Sequence, residues 1–202
     1  MWERIKDQSP IPEDACEDAH FERVRPNTAL FPSLGRVWMI GFANKSGDPV
    51  VIAGDGGIES ERDVLEEFYE HAVQWDSPWW VGHNVSGFDL PFLQVRALKH
   101  DLPSLGRLLG RLRAKPWESR VLDTQKLWPA TGADRYSHSH GIRGTRRLDT
   151  LCALLGIEGQ EGIMGPDVYK AYLAGNAKGV KDHLYYDVVQ VREVFKKLWP
   201  LL

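Results

Sequence analysis

The chain has 202 residues, of which 43% are hydrophobic and 26% charged, and its formal net charge is −3. This composition is ordinary for one soluble globular domain, and it excludes a strongly basic protein that binds nucleic acid through its overall charge. No apolar run approaches the roughly 20 residues of a membrane span, and Cys16 and Cys152 have no paired spacing. Without a recognisable signal peptide, a cytoplasmic protein with no membrane contact is expected.

Strands and helices are expected to alternate along most of the chain. Residues 1–30 are mostly polar and predict an irregular N-terminal arm, and one domain is expected over residues 31–202. In chain order, its predicted elements are a strand within 34–44, a partner strand at 50–54 that completes a hairpin, a helix at 61–75 behind a capping box of Ser60 and Asp63, a strand at 79–84, a helix from Leu90, a short strand ending at Asp123, and helices at 146–157, 165–175 and 177–199.

This alternation after an opening hairpin indicates an α/β fold with a mixed sheet. In such sheets, ligands collect at the carboxyl ends of the strands. The segment Trp79–Leu93 has the sequence WWVGHNVSGFDLPFL and begins as an apolar strand. Its single carboxylate, Asp89, follows the carboxyl end of that strand. Asp89 is therefore the first candidate for a functional residue.

Two basic segments and one long loop allow two interpretations each. Residues 106–120 and 143–147 are rich in arginine, and they are either solvated surfaces or a rim that follows phosphates. The loop at 129–147 contains His138 and His140, which predict either a metal site or simply a flexible loop.

The last predicted helix carries two titratable residues beside its apolar stripe. His183 and Asp187 are four residues apart and share one helix face, so they form either a plain local pair or part of a site. The expected apolar stripe consists of Leu184, Val188, Val191, Phe195 and Leu198.

Asp89 and Asp187 together suggest a chemistry. Clustered carboxylates repel one another and are costly to bury unless a cation compensates them. Hard oxygen ligands favour Mg²⁺ or Mn²⁺, and two such ions can stabilise the attacking and leaving oxygens of a phosphodiester. Histidine is a common general base, so His183 could accept a proton from the attacking water.

At this point the sequence resembles the DEDD superfamily of 3′–5′ exonucleases, which have an RNase H-like fold. It is most similar to stand-alone exonucleases related to the proofreading domain of family-B DNA polymerases. The similarity covers about residues 31–199. It is carried by GHNVSGFDLPFL, which resembles the second motif of that group, and by LGRVWMIGFAN, SRVLDTQKLW, RRLDTLCALLGIEG and GPDVYKAYLAGNAKGVKDHLYYDV in matching order.

The resemblance implies roles for individual residues. Asp89 and Asp187 would be metal ligands in a site for two Mg²⁺ or Mn²⁺ ions, and His183 would be the general base. His83, Asn84 and Phe88 would line the site, with Asn84 near the terminal nucleotide and Phe88 beneath the loop, although core packing is an equal alternative for Phe88. Asp123 matches a recurrent aspartate that is either catalytic or structural.

The sequence departs from the family pattern at two places. The group usually has tyrosine four residues before its last aspartate, where this chain has His183. Its first motif, a central strand ending in Asp-x-Glu, has no counterpart before Leu34, so the first strand of the fold is apparently missing. Either the chain starts late, or Glu13, Asp14 or Glu17 supplies a ligand.

The leading hypothesis is therefore a metal-dependent 3′–5′ exonuclease of single-stranded DNA, with single-stranded RNA as the alternative substrate. An alternative is a nuclease-dead module that binds nucleic acid through a groove, an arginine rim and the stacking aromatics Phe88, Trp79 or Trp117. A purely structural interaction domain would not need a carboxylate at a strand end.

Overall fold

The computed structural model describes residues 25–45, 47–75, 79–112, 120–128, 146–159, 162–163 and 165–201. The elements are β1 (Met39–Phe42), β2 (Val50–Ala53), α1 (Ile58–Val73), β3 (Trp80–Gly82), α2 (Asp89–Lys99), α3 (Pro103–Leu112), β4 (Val121–Asp123), the single turn α4 (Thr124–Leu127), α5 (Leu148–Leu155), α6 (Val168–Leu173) and α7 (Ala177–Leu198), with 3₁₀ turns at Arg25–Leu30, Gly165–Asp167 and Trp199–Leu201. Outside the described residues lie Glu13, Asp14, Cys16, Glu17, Arg113, Lys115, Trp117, His138, His140 and Arg143.

The predicted hairpin is confirmed, but the single mixed sheet is not formed by the described residues. β1 and β2 pair antiparallel, with Ile40 opposite Ile52, whereas β3 and β4 form a separate parallel pair. In the parallel pair, Gly82 lies opposite Asp123, so the two strands end side by side. The fold is α/β as expected, with two small sheets surrounded by helices.

Phe68 of α1 and Trp75, which follows the C-terminus of that helix, hold the two sheets together. Phe42 of β1 and Trp80 of β3 both contact Trp75, with ring centroids 5.2 and 5.0 Å away, and both also contact Phe68. The main core forms around this cluster from buried residues of β2, α1, α2 and α3. Helix α1 therefore fixes the position of β1 relative to β3 although the two strands belong to separate sheets.

The start of α1 corrects the expected capping box. The helix begins at Ile58, and its N-cap is Gly57, without a side-chain cap. Ser60 instead donates its hydroxyl proton to Asp55 Oδ1 at 2.5 Å. Ser60 is therefore the third residue of the helix instead of its N-cap, and its hydroxyl bonds back to the preceding loop.

The sequence analysis missed one helix, α3. The sequence analysis identifies this region only as a basic segment. In the structure, Leu105, Leu109 and Leu112 are buried at helical spacing. Arg107 and Arg111 occupy its exposed face. α3 packs against α2, and this contact completes the main core.

The bounds of α7 match the prediction to within one residue, but its buried side is shifted. Val180, Gln190, Val194 and Leu198 are buried, whereas the other four members of the expected stripe are only half-buried. The shift arises because α7 packs on both sheets and also on α5, so two of its sides are covered.

No helix in the described part of the chain is long and apolar enough to cross a membrane.

Candidate active site

The loop between β3 and α2 is shaped by close backbone packing. A side chain on Gly82 would come within 2.5 Å of Val85, so glycine is required where the strand ends. Asn84 adopts a left-handed φ of 56°, a conformation that asparagine tolerates better than most residues. The chain can then turn sharply and start α2 at Asp89.

Asp123 holds this loop in place from the end of β4. It is 4% exposed, and it accepts hydrogen bonds from the Asn84 and Ser86 N–H groups, the Ser86 hydroxyl and the Gln125 N–H at 2.6–3.2 Å. These donors occupy both of its carboxylate oxygens. The question that the sequence left open therefore has a structural answer, since Asp123 organises the loop before Asp89.

Asp123→Asn is expected to lower the free energy of unfolding by about 3 kcal/mol, because an amide offers one acceptor oxygen to donors that now bond to a charged group. Urea denaturation measures this change. A loss below about 0.5 kcal/mol would show that the four hydrogen bonds do not hold the loop.

His83 is the first residue of the loop after β3, and its side chain contacts the start of α4. Its Nδ1 is 3.0 Å from Thr124 Oγ1, and the Thr124 hydroxyl in turn donates to the Gly82 carbonyl at 3.2 Å. Nε2 is buried without a hydrogen bond of normal geometry among the described residues. Burial lowers the pKa of His83, against the opposing effects of the Arg146 backbone and the charge of Asp123. His83 is thus a neutral, mostly enclosed side chain.

Asn84 and Phe88 differ in their surroundings. Asn84 is half-buried and folds back over its own loop, where a side chain on Gly87 would come within 2.5 Å of Asn84 Oδ1. Phe88 is 37% exposed, and its ring contacts Phe92 with centroids 5.6 Å apart. Phe88 therefore combines the packing role and the exposed surface that the sequence analysis weighed as alternatives.

Helix α7 supplies the second half of the candidate site. His183 Nε2 lies 3.6 Å from Asp187 Oδ2, and the two side chains are 13% and 38% exposed. Partial burial raises the pKa of Asp187, whereas the neighbouring His183 opposes this change. The pair faces the carboxyl end of the β3–β4 sheet, because α7 also packs against β3 and α4.

Asp89 and Asp187 converge from different elements. Shielding by the surrounding protein raises the pKa of Asp89 to about 6, and the charges of Asp123 and Asp187 add to this effect. Water still reaches Asp89, whose surface is exposed at the rim of the site. Among the described residues, neither Asp89 nor Asp187 has a lysine or arginine within 4 Å. The two carboxylates therefore form a centre of negative charge that lacks a lysine or arginine partner among the described residues and has His183 beside Asp187.

Cys152 lies behind this centre and is chemically inert. It is 1% exposed, and burial raises the pKa of its thiol to about 11, with contributions from Asp149 and Asp187. A thiol that stays protonated at neutral pH is a poor nucleophile and a poor metal ligand. Nucleophilic catalysis by cysteine is therefore not the chemistry of this site.

The donors fit a hard divalent cation in kind, although they do not complete a site. Carboxylate oxygens with uncompensated charge are the ligands that Mg²⁺ and Mn²⁺ prefer. However, no group of three or more histidine, cysteine, aspartate or glutamate side chains in the described ranges is arranged to hold a metal ion. Asp89 and Asp187 alone therefore do not make a metal site among the described residues.

Comparison with known proteins identifies the family of this chain. Residues 34–199 match the sequence profile of a family described as predicted 3′–5′ exonucleases related to the exonuclease domain of PolB. The chain belongs to this family, because the match covers most of its length. No solved structure matches the chain.

Two curated DNA polymerases are also similar to it. A DNA polymerase of Archaeoglobus fulgidus is 22% identical over 174 residues, which cover 84% of this chain and 21% of the polymerase. The DNA polymerase alpha catalytic subunit of Oryza sativa subsp. japonica is 31% identical over 118 residues, which cover 54% of this chain and 7% of the subunit. The chain thus spans about a fifth or less of the length of these relatives.

Proposed function

We propose that this chain is a metal-dependent 3′–5′ exonuclease that hydrolyses the phosphodiester bonds of single-stranded nucleic acid, DNA rather than RNA. The observation that carries the proposal is the electrostatic proximity of Asp89, which follows β3 at the start of α2, to Asp187 of α7, with no lysine or arginine within 4 Å of either among the described residues. Membership of a family of predicted exonucleases supports the reaction, and the two related DNA polymerases support the substrate class.

Each site residue has a defined task in this proposal. Asp89 and Asp187 would hold Mg²⁺ or Mn²⁺, and the bound ions would supply stabilisation of the negative charge that develops on the phosphate. His183, 3.6 Å from Asp187, would accept the proton of the attacking water. Phe88 and Asn84, on the loop before Asp89, would border the terminal nucleotide, while the enclosed His83 would support that loop from behind.

An RNase H-like fold would explain why the two sheets are separate. Trp38 and Gly54 form a hydrogen-bonded pair of the antiparallel ladder, so the backbone groups of Met39 and Gly41 point to the opposite edge of β1. Helices α1 and α7 contact both β1 and β3, so that both strands lie between the same helices. In this proposal, a strand from outside the described residues pairs between them and brings further carboxylates to Asp89.

The additional strand and its carboxylates need a source. Glu13, Asp14 and Glu17 are the acidic candidates within this chain, and a longer form of the protein would offer others. Replacing these three residues with glutamine or asparagine tests the first source. Unchanged hydrolysis by that variant would exclude it.

A single-stranded oligonucleotide labelled at its 5′ end tests the function. In Mn²⁺, we expect stepwise shortening from the 3′ end, and we expect no shortening in a chelator or when the 3′ end is blocked. Products that appear at internal positions would contradict the proposed polarity.

The second candidate function is a module that binds nucleic acid without cleaving it. It is favoured by the absence, among the described residues, of a cluster large enough to hold a metal ion. Such a module would keep a salt-sensitive affinity for single strands in a chelator and would never shorten them. The same assay therefore distinguishes the two functions.

Asp89→Asn is expected to raise the Tm at pH 7.5 in a chelator and to have little effect at pH 4. The pKa of Asp89 is about 6 in the folded protein, above its ordinary value of 3.8, so the folded state binds the proton more tightly. The wild-type protein therefore loses stability as the pH rises from about 4 to 6, and asparagine removes this loss. A gain in Tm that is equal at both pH values would contradict the raised pKa.

A further inference from the structure

An aromatic pair lies at the rim of the sheet and takes no part in the site described above. Trp38 and Tyr172 pack edge to face, with ring centroids 4.9 Å apart and an interplanar angle of 77°. Tyr172 remains 40% exposed. The pair joins the start of β1 to helix α6, two elements that are far apart in the sequence.

The surrounding backbone holds both rings in place. Trp38 Nε1 donates to the Gly54 carbonyl at 2.9 Å, which fixes the orientation of the indole. Gly56 has a φ of +87°, and a side chain there would come within 2.8 Å of the Tyr172 ring. The backbone at Gly56 therefore packs so closely against the Tyr172 ring that only glycine fits there.

The pair lies at the same end of the domain as Asp187. Gly41 packs against Leu184 and Val188 of α7, while Arg192 reaches the Gly47 carbonyl further along, so β1 and α7 run in the same direction. Trp38 precedes Gly41 by three residues and thus lies about 10 Å further toward the start of α7. A single strand that follows β1 would cover this offset along the strand with about three nucleotides, at about 3.4 Å for each.

The charges around the pair are mixed. Arg36 is exposed, donates to the Gly56 carbonyl at 3.2 Å, and has no carboxylate within 4 Å among the described residues. Asp55 lies in the same loop, where it accepts from Ser60 and from the Gly57 N–H. A ligand would therefore be held by its flat apolar surface, with Arg36 available for one phosphate.

We propose that Trp38 and Tyr172 form a stacking subsite for an unpaired nucleobase of the single strand, a few nucleotides before the end that is hydrolysed. This inference rests on the proposed function and extends it to the recognition of the strand. Stacking on aromatic rings accepts every base, so the subsite holds the strand without selecting a sequence. Paired bases are stacked within their duplex and cannot enter, so the subsite favours single strands.

Binding of a 5′-fluorescein-labelled ten-nucleotide thymidine strand in a chelator, followed by anisotropy, tests the subsite. Tyr172→Leu keeps an apolar side chain against Trp38 but removes the ring, and we expect its Kd to rise by about 5- to 150-fold. Tyr172→Phe is expected to bind like the wild type. Trp199→Leu is the matched control, because Trp199 is 56% exposed at the other end of α7. Arg36→Gln is expected to reduce the dependence of log Kd on log salt by about one unit.

A strand with abasic positions sharpens the test. Removing the bases at the second to fourth positions from the 3′ end should weaken binding to the wild type but should not weaken it further for Tyr172→Leu. If the wild type binds the strand and Tyr172→Leu binds it equally well, the subsite is wrong and the proposed function is unaffected. If the wild type neither binds nor shortens single strands, both proposals are wrong.

Discussion

Arg96→Met is expected to lower the free energy of unfolding by about 3–5 kcal/mol, the usual effect of removing one partner of a buried ion pair. Arg96 and Glu61 are fully buried, and two guanidinium nitrogens of Arg96 bind the Glu61 carboxylate at 2.5 and 2.6 Å. The same carboxylate accepts from the Val37 N–H at 2.8 Å and lies 2.8 Å from His100 Nε2. The network thus ties the segment before β1 to α1 and α2, and methionine would leave Glu61 charged and poorly compensated.

Urea denaturation with two matched variants checks this expectation. The double variant Glu61→Leu with Arg96→Met should recover much of the lost stability, because no buried charge remains. Arg62→Met removes an exposed i,i+4 pair with Glu66 and should cost less than about 1 kcal/mol. A loss from Arg96→Met as small as that from Arg62→Met would contradict the role of the network.

The network also predicts how the free energy of unfolding changes with pH under acidic conditions. Burial acts to raise the pKa of Glu61, but the hydrogen bonds from Arg96, Val37 and His100 outweigh it and hold the pKa below the ordinary value of 4.5. A lowered pKa contributes stability above about pH 4.5, and this stability is lost as the pH falls through the pKa of the folded protein. Glu61→Gln should therefore flatten the loss of stability at acid pH.

Asp187→Asn is expected to reduce hydrolysis of a single-stranded oligonucleotide by about 1,000-fold or more. The carboxylate is a proposed metal ligand, and the stabilisation of charge that depends on such a ligand amounts to several kcal/mol in the transition state. Because asparagine has nearly the same shape, α7 should remain docked on both sheets and the Tm should not fall. Single-turnover rates in Mn²⁺ measure the loss.

Asp182→Asn is the matched control for this experiment. Asp182 lies on the same helix, five residues earlier, and pairs with Lys178 at the surface. Its replacement should leave the rate within a factor of about two, since an exposed pair contributes little and lies outside the site. Equal rates for Asp187→Asn and the wild type would remove Asp187 from the site.

The sequence predicted those parts of the fold that depend on local patterns. The apolar run before Asn44 and the turn that follows it predicted β1 and β2, and the helical spacing in the last 26 residues predicted α7. Helix α3 was not predicted because it contains two glycines, which disfavour a helix, and because its arginines interrupt the apolar pattern of its leucines. The predicted start of α1 was wrong because the helix extends back to Ile58 with Gly57 as its N-cap, a residue that offers no side-chain signal.

Contacts between distant parts of the chain could not be predicted in this way. The donors that bind Asp123 come mainly from a loop 37–39 residues earlier, so its structural role is visible only in the folded chain. Glu61 and Arg96 are 35 residues apart and carry no pattern that pairs them. Asp89 and Asp187 are 98 residues apart, so their combination in the sequence analysis depended on the chemistry of carboxylates and on the resemblance to a known family, and not on a local pattern.

Binding of Mn²⁺, measured by the electron paramagnetic resonance of the free ion, tests most directly whether Asp89 and Asp187 share one site. The wild type and Asp182→Asn should bind Mn²⁺, whereas Asp89→Asn and Asp187→Asn should each lose most of that affinity, and combining the two replacements should cost little more. If either single variant binds Mn²⁺ as tightly as the wild type, the two carboxylates do not form a common metal site, and the proposed chemistry is wrong.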